Sequence, residues 1–175
     1  TAMNDQQFQQ NIRLILQNDR SGLKDIYEAY CPMIFSVVSD MVKSREDAED
    51  ITSEFFIRLW DIAGTYRPLK GHRAWMITIA RNMAIDYLRK KSHETPAAEI
   101  PDYLQEKASA EENICQKLSL EQALLTLKKE ERQIVNLKIM GELTFREIAK
   151  ILKKPPGTVA WRYRTAMEKL KEVQL

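Results

Sequence analysis

Apolar residues recur at helical spacing along most of the chain. Phe8, Ile12, Leu14, Ile15 and Leu16 predict a first amphipathic helix. Ser21 is placed to cap a second, which carries Leu23, Ile26, Tyr27 and Tyr30 and continues beyond Pro32 through Ile34, Phe35, Val38, Met41 and Val42. Pro32 has no backbone donor, so a kink or break is expected near Tyr30–Cys31. Ser44-Arg45-Glu46-Asp47 has the S-x-x-D pattern of a helix start, ahead of Ala48, Ile51, Phe55, Leu59 and Ile62. Gly64 marks a stop, residues 65–71 a loop, and a long helix is expected from His72 to Lys91 with Met76, Ile79, Ala80, Met83 and Tyr87 on one face.

The pattern then changes. Residues 92–113 hold six acids against one lysine, with two prolines, which is the composition of a linker up to about Ala108. Beyond it, Ser109 and Glu112 form a capping box before Ile114, Leu118, Leu120, Ala123 and Leu124, and a further helix spans Leu127 to Met140, ending at Gly141. Thr144 and Glu147 form another box, opening a short helix with Ile148, Ala149, Ile151 and Leu152. Lys153-Lys154-Pro155-Pro156-Gly157 predicts a tight turn, and a last helix runs from about Thr158 to Val173. The expected architecture is all-α: a helical module over 1–91, a linker over 92–108 and a second helical module over 109–175.

Charge separates the two modules more sharply than the net +2 suggests. Thr1–Trp60 holds 6 basic and 10 acidic residues, whereas Arg146–Lys171 holds 8 basic and 2 acidic. An acidic front and a basic tail predict different partners for the two ends. Five glycines and six prolines among 175 residues are few for a turn-rich β-fold. Cys31 and Cys115 form no C-x-x-C and predict reduced thiols, neither a metal site nor a disulfide framework. No apolar run reaches the ~20 residues of a membrane span and no signal peptide is evident, so a cytoplasmic location is expected. Thr1 and Ala2 precede Met3 and look like additions to a start at Met3.

The basic tail carries the clearest chemistry. A short helix with a small residue at Ala149, a turn, and a second helix opening at Gly157-Thr158-Val159 form a helix-turn-helix pattern. Val159, Tyr163, Ala166 and Leu170 make one inward stripe, which turns Trp161, Arg162, Thr165 and Lys169 outward. Thr158, Trp161, Arg162 and Thr165 are candidates for base edges in a major groove, with Arg146, Lys150, Lys153 and Lys154 on phosphates. The plain alternative is a solvated basic face; the capping box, the Pro-Pro-Gly turn and the outward tryptophan favour DNA.

The front module holds Arg45-Glu46-Asp47-Ala48-Glu49-Asp50-Ile51, Phe55-Phe56-Ile57-Arg58-Leu59-Trp60, Arg73-Ala74-Trp75-Met76, and Ile79 through Arg89. These strings resemble the second conserved region of extracytoplasmic-function sigma factors of the sigma-70 family. The helix-turn-helix resembles their fourth. The resemblance covers about residues 21–91 and 114–172.

It implies a transcription initiation factor that binds core RNA polymerase, through the clamp of the largest subunit and the flap of the second-largest, and directs it to promoters. It further implies an anti-sigma partner, no cofactor and no catalytic activity. By this resemblance Asp47, Asp50, Glu54, Phe55, Arg58 and Trp60 would meet the polymerase. Tyr66, Arg73, Trp75, Arg81, Asn82, Arg89 and Lys90 would melt and read the −10 element. Arg146, Lys154, Thr158, Trp161, Arg162, Thr165 and Lys169 would serve the −35 element. Two bland readings stand beside these: a solvated acidic helix face for Asp47, Asp50 and Glu54, and core packing for Tyr66 and Trp75. Ala160 and Trp161 follow Gly157-Thr158-Val159 where many relatives carry Arg and a small residue, so the recognised −35 sequence is not predicted.

Two other functional classes fit less well. A helix-turn-helix regulator acting without core polymerase would need a receiver or ligand domain, and the front half has no alternating βα pattern. An enzyme is disfavoured because His72 and His93 are the only histidines and no H-E-x-x-H, G-x-S-x-G or phosphate-binding glycine loop occurs.

Overall fold

The computed structural model describes residues 2–94 and 124–173. Within them the chain is helical, without strands, in the order α1 (Asp5–Leu16), α2 (Arg20–Ser39), α3 (Arg45–Ile62), two 3₁₀ turns (Ala63–Thr65 and Pro68–Lys70), α4 (His72–Glu94), α5 (Lys129–Ile139), α6 (Phe145–Leu152) and α7 (Pro156–Val173). The all-α class is the one expected. Of the expected linker, residues 92–94 complete α4; residues 95–108, the Ser109–Glu112 box and nearly all of the helix expected after it lie outside the described residues.

Local chemistry fixes the helix ends. The Asn4 carboxamide accepts from Gln7 N at 2.8 Å while the Gln7 side chain accepts from Asn4 N at 3.0 Å, a reciprocal box at the start of α1. The second helix is capped by Asp19, which accepts from Ser21 N at 2.9 Å; Ser21 itself lies inside the helix and was not the cap. Ser44 caps α3 by accepting from Asp47 N at 3.3 Å, as its pattern predicted. The Thr144–Glu147 box is formed at 3.0 and 3.1 Å.

Pro32 does not divide α2, which runs unbroken from Arg20 to Ser39. Pro32 and Glu28, one turn before it, are both exposed, so the carbonyl that loses its partner is on the wet side. Ile26, Tyr30, Met33 and Ile34 are buried on either side and hold both halves of the helix to the same core. The second departure is at the Pro-Pro-Gly turn. The left-handed residue is Lys153 (φ 56°), and Pro156 already stands in the first turn of α7, where its missing N–H costs nothing.

The front module packs α1–α4 around Phe8, Ile26, Ile34, Phe55, Leu59, Met76 and Ile77, each fully buried. Gly22 sets the spacing of α1 and α2: a Cβ there would stand 2.4 Å from the Asn11 carbonyl oxygen. In the rear module Val135, Ala166 and Leu170 join α5 to α7. One continuous core extends from the front module to Ile134, Leu137, Leu143, Ile148 and Val159 of the rear module. Gly141 lies against this contact, where a Cβ would be 2.9 Å from Ile77 Cδ1. Around this apolar contact, Ser36 Oγ donates to Asn136 Oδ1 at 3.0 Å, and Arg73 pairs with Glu142 at 3.1 Å.

Candidate nucleic-acid interface

The helix-turn-helix is built as its pattern predicts on the inner side. Val159 and Ala166 are fully buried, Leu170 nearly so, and Tyr163 half-buried against Phe145. On the other side Trp161 keeps 61% of its surface exposed. The exposed indole gives the outer side of α7 a large apolar contact surface. Thr158 and Thr165 are half-buried, and the Thr165 hydroxyl donates back to the Trp161 carbonyl at 3.0 Å. Arg146 is exposed, on α6. Gly157 has nothing within 4 Å of where a Cβ would lie, which leaves the first turn of α7 open to a close neighbour.

Three of the basic candidates are tied to acids of α5, which the sequence did not reveal. Glu130 pairs through one carboxylate oxygen with Lys154 and through the other with Arg162. Glu131 takes Lys169 on both oxygens, at 2.8 and 3.0 Å. Hydrogen bonding from Lys154, with the charge of Arg162 beside it, holds the Glu130 carboxyl below its ordinary range.

In the front module the expected melting set divides. Asn82, Arg89 and Lys90 are exposed along α4. Asn82 and Arg89 share a cleft of about 480 Å³ with Arg58 of α3 and Lys153 of the helix-turn-helix turn. Arg73 is mostly covered: it pairs with Glu142, and its guanidinium lies 5.7 Å from the Tyr30 ring centroid. Arg81 is half-buried, and burial lowers its proton affinity against the pull of Asp40.

Tyr66 is corrected to a packing position. It is only 6% exposed, edge-on to Phe8 at 5.0 Å and to Trp75 at 5.1 Å between centroids. The loop that carries it folds back through two 3₁₀ turns, so the ring enters the core and faces no open surface. Trp75 is half-buried in the same cluster.

His72, which entered the sequence reading as a helix boundary and as one of two histidines, is central here. Its Nδ1 lies 2.5 Å from Asp5 Oδ1 and its Nε2 2.5 Å from the Tyr30 hydroxyl, and the ring stacks on Phe8 at 4.7 Å. These contacts join α1 and α2 to the first residue of α4.

The acidic row on α3 is likewise uneven. Asp50, Glu54 and Arg58 are exposed, while Asp47 is half-covered and pairs with Lys91 of α4 at 3.5 Å. Phe55 is fully buried, so it cannot touch a partner without the module unfolding; it is a core residue. Trp60 lines an apolar groove with Leu23, Tyr27 and Phe56, rimmed by Arg20 and Lys24. Tyr27, 48% exposed, belongs to this groove and was missed because its helical spacing matches that of core positions; Ile57, 68% exposed, lies on α3 off the stripe of Ala48, Ile51, Phe55 and Leu59.

The described residues thus combine a helix-turn-helix whose last helix exposes Trp161 with a front helix, α3, that exposes Asp50, Glu54 and Ile57. The sequence matches the family description Sigma-70 region 2 over residues 26–94 and Sigma-70, region 4 over residues 117–170. The chain belongs to the sigma-70 family, in its extracytoplasmic-function (ECF) group.

Among similar proteins, the ECF RNA polymerase sigma factor RpoE of Cereibacter sphaeroides is 26% identical over 157 residues, covering 88% of this chain and 87% of its own. The ECF RNA polymerase sigma factor SigW of Bacillus subtilis is 27% identical over 186 residues, covering 94% and 95%. The fold is shared with the sigma factor RpoE in complex with the anti-sigma factor NepR from Bartonella quintana (TM-score 0.62, 19% identity, 86% of this chain and 94% of that one). It is also shared with CnrH in complex with the cytosolic domain of CnrY (TM-score 0.64, 16% identity, 95% and 96%).

Proposed function

We propose that this chain is a transcription initiation factor that binds core RNA polymerase and directs it to specific promoters through −10 and −35 elements. The observation that carries the reading is the presence in one chain of both sigma-70 regions, each with a surface suited to its task. On the front module, α3 offers Asp50 and Glu54 in solvent next to exposed Ile57, a charged rim beside an apolar centre, as a docking face for the basic clamp of the polymerase's largest subunit. On α4, Asn82 both donates and accepts and stands beside Arg89, a pairing fit for an unstacked base and its phosphate. On the rear module, Arg162 and Trp161 face a major groove, and Arg146, Lys154 and Lys169 lie near its phosphates.

The two working parts are taken as the sequence reading sets them, polymerase binding over 1–91 and duplex binding over 109–175, with α4 extending to Glu94. An anti-sigma factor is the expected regulator, in keeping with the RpoE–NepR complex of shared fold. The site of action is the cytoplasm, where promoters are; no helix among the described residues is long and apolar enough to cross a membrane. The chain acts as an initiation factor and carries no chemistry of its own.

Incubating the purified chain with core RNA polymerase tests this reading. Co-elution on size exclusion and retention of a forked promoter probe with a single-stranded −10 segment are expected; a chain that binds duplex alone and ignores core polymerase would instead be an independent helix-turn-helix regulator.

A further inference from the structure

The acids at the start of α5 engage the basic groups that the proposed duplex interface needs. Glu130 stands in the first turn of α5, and its two oxygens divide between Lys154, in the turn of the helix-turn-helix, and Arg162, on α7. All three side chains are roughly two-thirds covered, so the carboxylate is a fixed part of the surface. Without it, Lys154 and Arg162 would be two neighbouring cations with only each other and solvent, repelling one another and free to reorient.

A guanidinium has five N–H donors on three nitrogens in a rigid plane. Glu130 is ion-paired with Nη1, so the donors on Nε and Nη2 are the ones offered to a base. The same carboxylate puts a negative charge beside the phosphates of any duplex that approaches. A duplex with the correct bases recovers that cost through Arg162, and one without them does not.

We propose that Glu130 is a positioning residue for duplex discrimination: it aims Arg162 and restrains Lys154, so that the helix-turn-helix selects sequence instead of gripping any phosphate backbone. This rests on α7 facing duplex DNA. Glu131 adds a second tie of the same kind, on Lys169, but it also accepts from Lys128 N at 3.2 Å and is 8% exposed, so its removal would disturb α5 itself. Glu130 separates the two effects.

The test uses the full chain assembled with core RNA polymerase and two duplex probes: one enriched from a random pool by the unmodified assembly, one a scramble of equal composition. Glu130→Gln is expected to bind the scramble about tenfold more tightly and the enriched duplex with a smaller gain, so the ratio falls. Its salt dependence on the scramble should steepen by the equivalent of about one to two further phosphate contacts. Glu130→Asp, which keeps the charge, should retain most of the discrimination. Glu130→Ser carries the same prediction as Gln should the Gln variant fail to fold. An unchanged ratio and salt slope, or Glu130→Asp behaving as Glu130→Gln, overturns the inference. Arg162→Ala tells the two levels apart. If it binds both probes normally, α7 does not face the duplex and the underlying reading fails. If it loses the enriched probe while Glu130→Gln changes nothing, the role of Glu130 alone fails.

Discussion

Asn136 and Asp40, 96 residues apart in the chain, meet side chain to side chain, the Asn136 Nδ2 donating to Asp40 Oδ2 at 2.5 Å. The same amide nitrogen donates to the Ser36 carbonyl at 3.2 Å, and Arg132 lies 3.9 Å from the other Asp40 oxygen. Burial pushes the Asp40 carboxyl above its ordinary range, while the Asn136 hydrogen bond and the charges of Arg132 and Arg81 pull it back. One polar cluster thus fastens α5 of the rear module to α2 of the front.

Asn136→Ala leaves Asp40 and the Ser36 backbone short of a donor. Docking of α5 should weaken by about 1–3 kcal/mol, the cost of an unsatisfied buried polar group. Hydrogen exchange checks this: faster exchange in α5 is expected, with protection of α2 and α3 retained, whereas unaltered α5 protection would mean that the apolar contact suffices.

His72 gives the front module a pH dependence of definite sign. Burial holds its proton affinity below the ordinary histidine value of 6.5, against the opposing pull of Asp5 and with Arg73 acting in the same direction as burial. The folded chain therefore favours the neutral ring, with Nδ1–H donating to Asp5 and Nε2 accepting from Tyr30. A group lowered on folding contributes stability that is complete above its unfolded value and is lost as the pH falls through the folded one. Asp5, itself held low by the His72 hydrogen bond, adds a loss of the same sign at more acid pH. Thermal midpoints should drop between about pH 7.5 and about pH 5.5, and His72→Gln should flatten that slope. A slope identical in the two proteins would remove His72 as its source.

Gly22→Ala should be costly although alanine is the better helix former. The added Cβ would meet the Asn11 carbonyl oxygen at 2.4 Å and Leu14 Cβ at 2.9 Å, forcing α1 away from α2. A loss of about 1–3 kcal/mol in chemical denaturation is expected. A neutral or stabilising result would show that the crossing has room to relax.

Asp50→Lys reverses one exposed charge on α3. With the fold unaffected by far-ultraviolet circular dichroism, affinity for core polymerase should fall about tenfold or more, by loss of one charge pairing and gain of a repulsion. Unchanged affinity would remove the acidic row from the docking face.

Legibility in the sequence followed the physics of each feature. Helix starts at Ser44 and Thr144 were readable because capping is local, and the inward stripe of α7 because its period is fixed by 3.6 residues per turn. Pro32 misled because its cost depends on which side of the helix is wet, and that is decided by packing. Tyr66 and Phe55 were given outward roles by resemblance, although the spacing of Ala48, Ile51, Phe55 and Leu59 already pointed Phe55 inward and core packing was open for Tyr66; both rings enter the core. The ties of Glu130 to Arg162 and of Asn136 to Asp40 join residues 32 or more positions apart, beyond the reach of any local pattern. His72 was passed over for the same reason: its partners come from α1 and α2, 67 and 42 residues away.

The most direct measurement is transcription in vitro with core RNA polymerase, the purified chain and a library of genomic promoter fragments. RNA is expected from a small set of fragments sharing spaced upstream and start-proximal elements, and none when the chain is withheld. Synthesis that never depends on the chain, at any fragment, would contradict its role as an initiation factor.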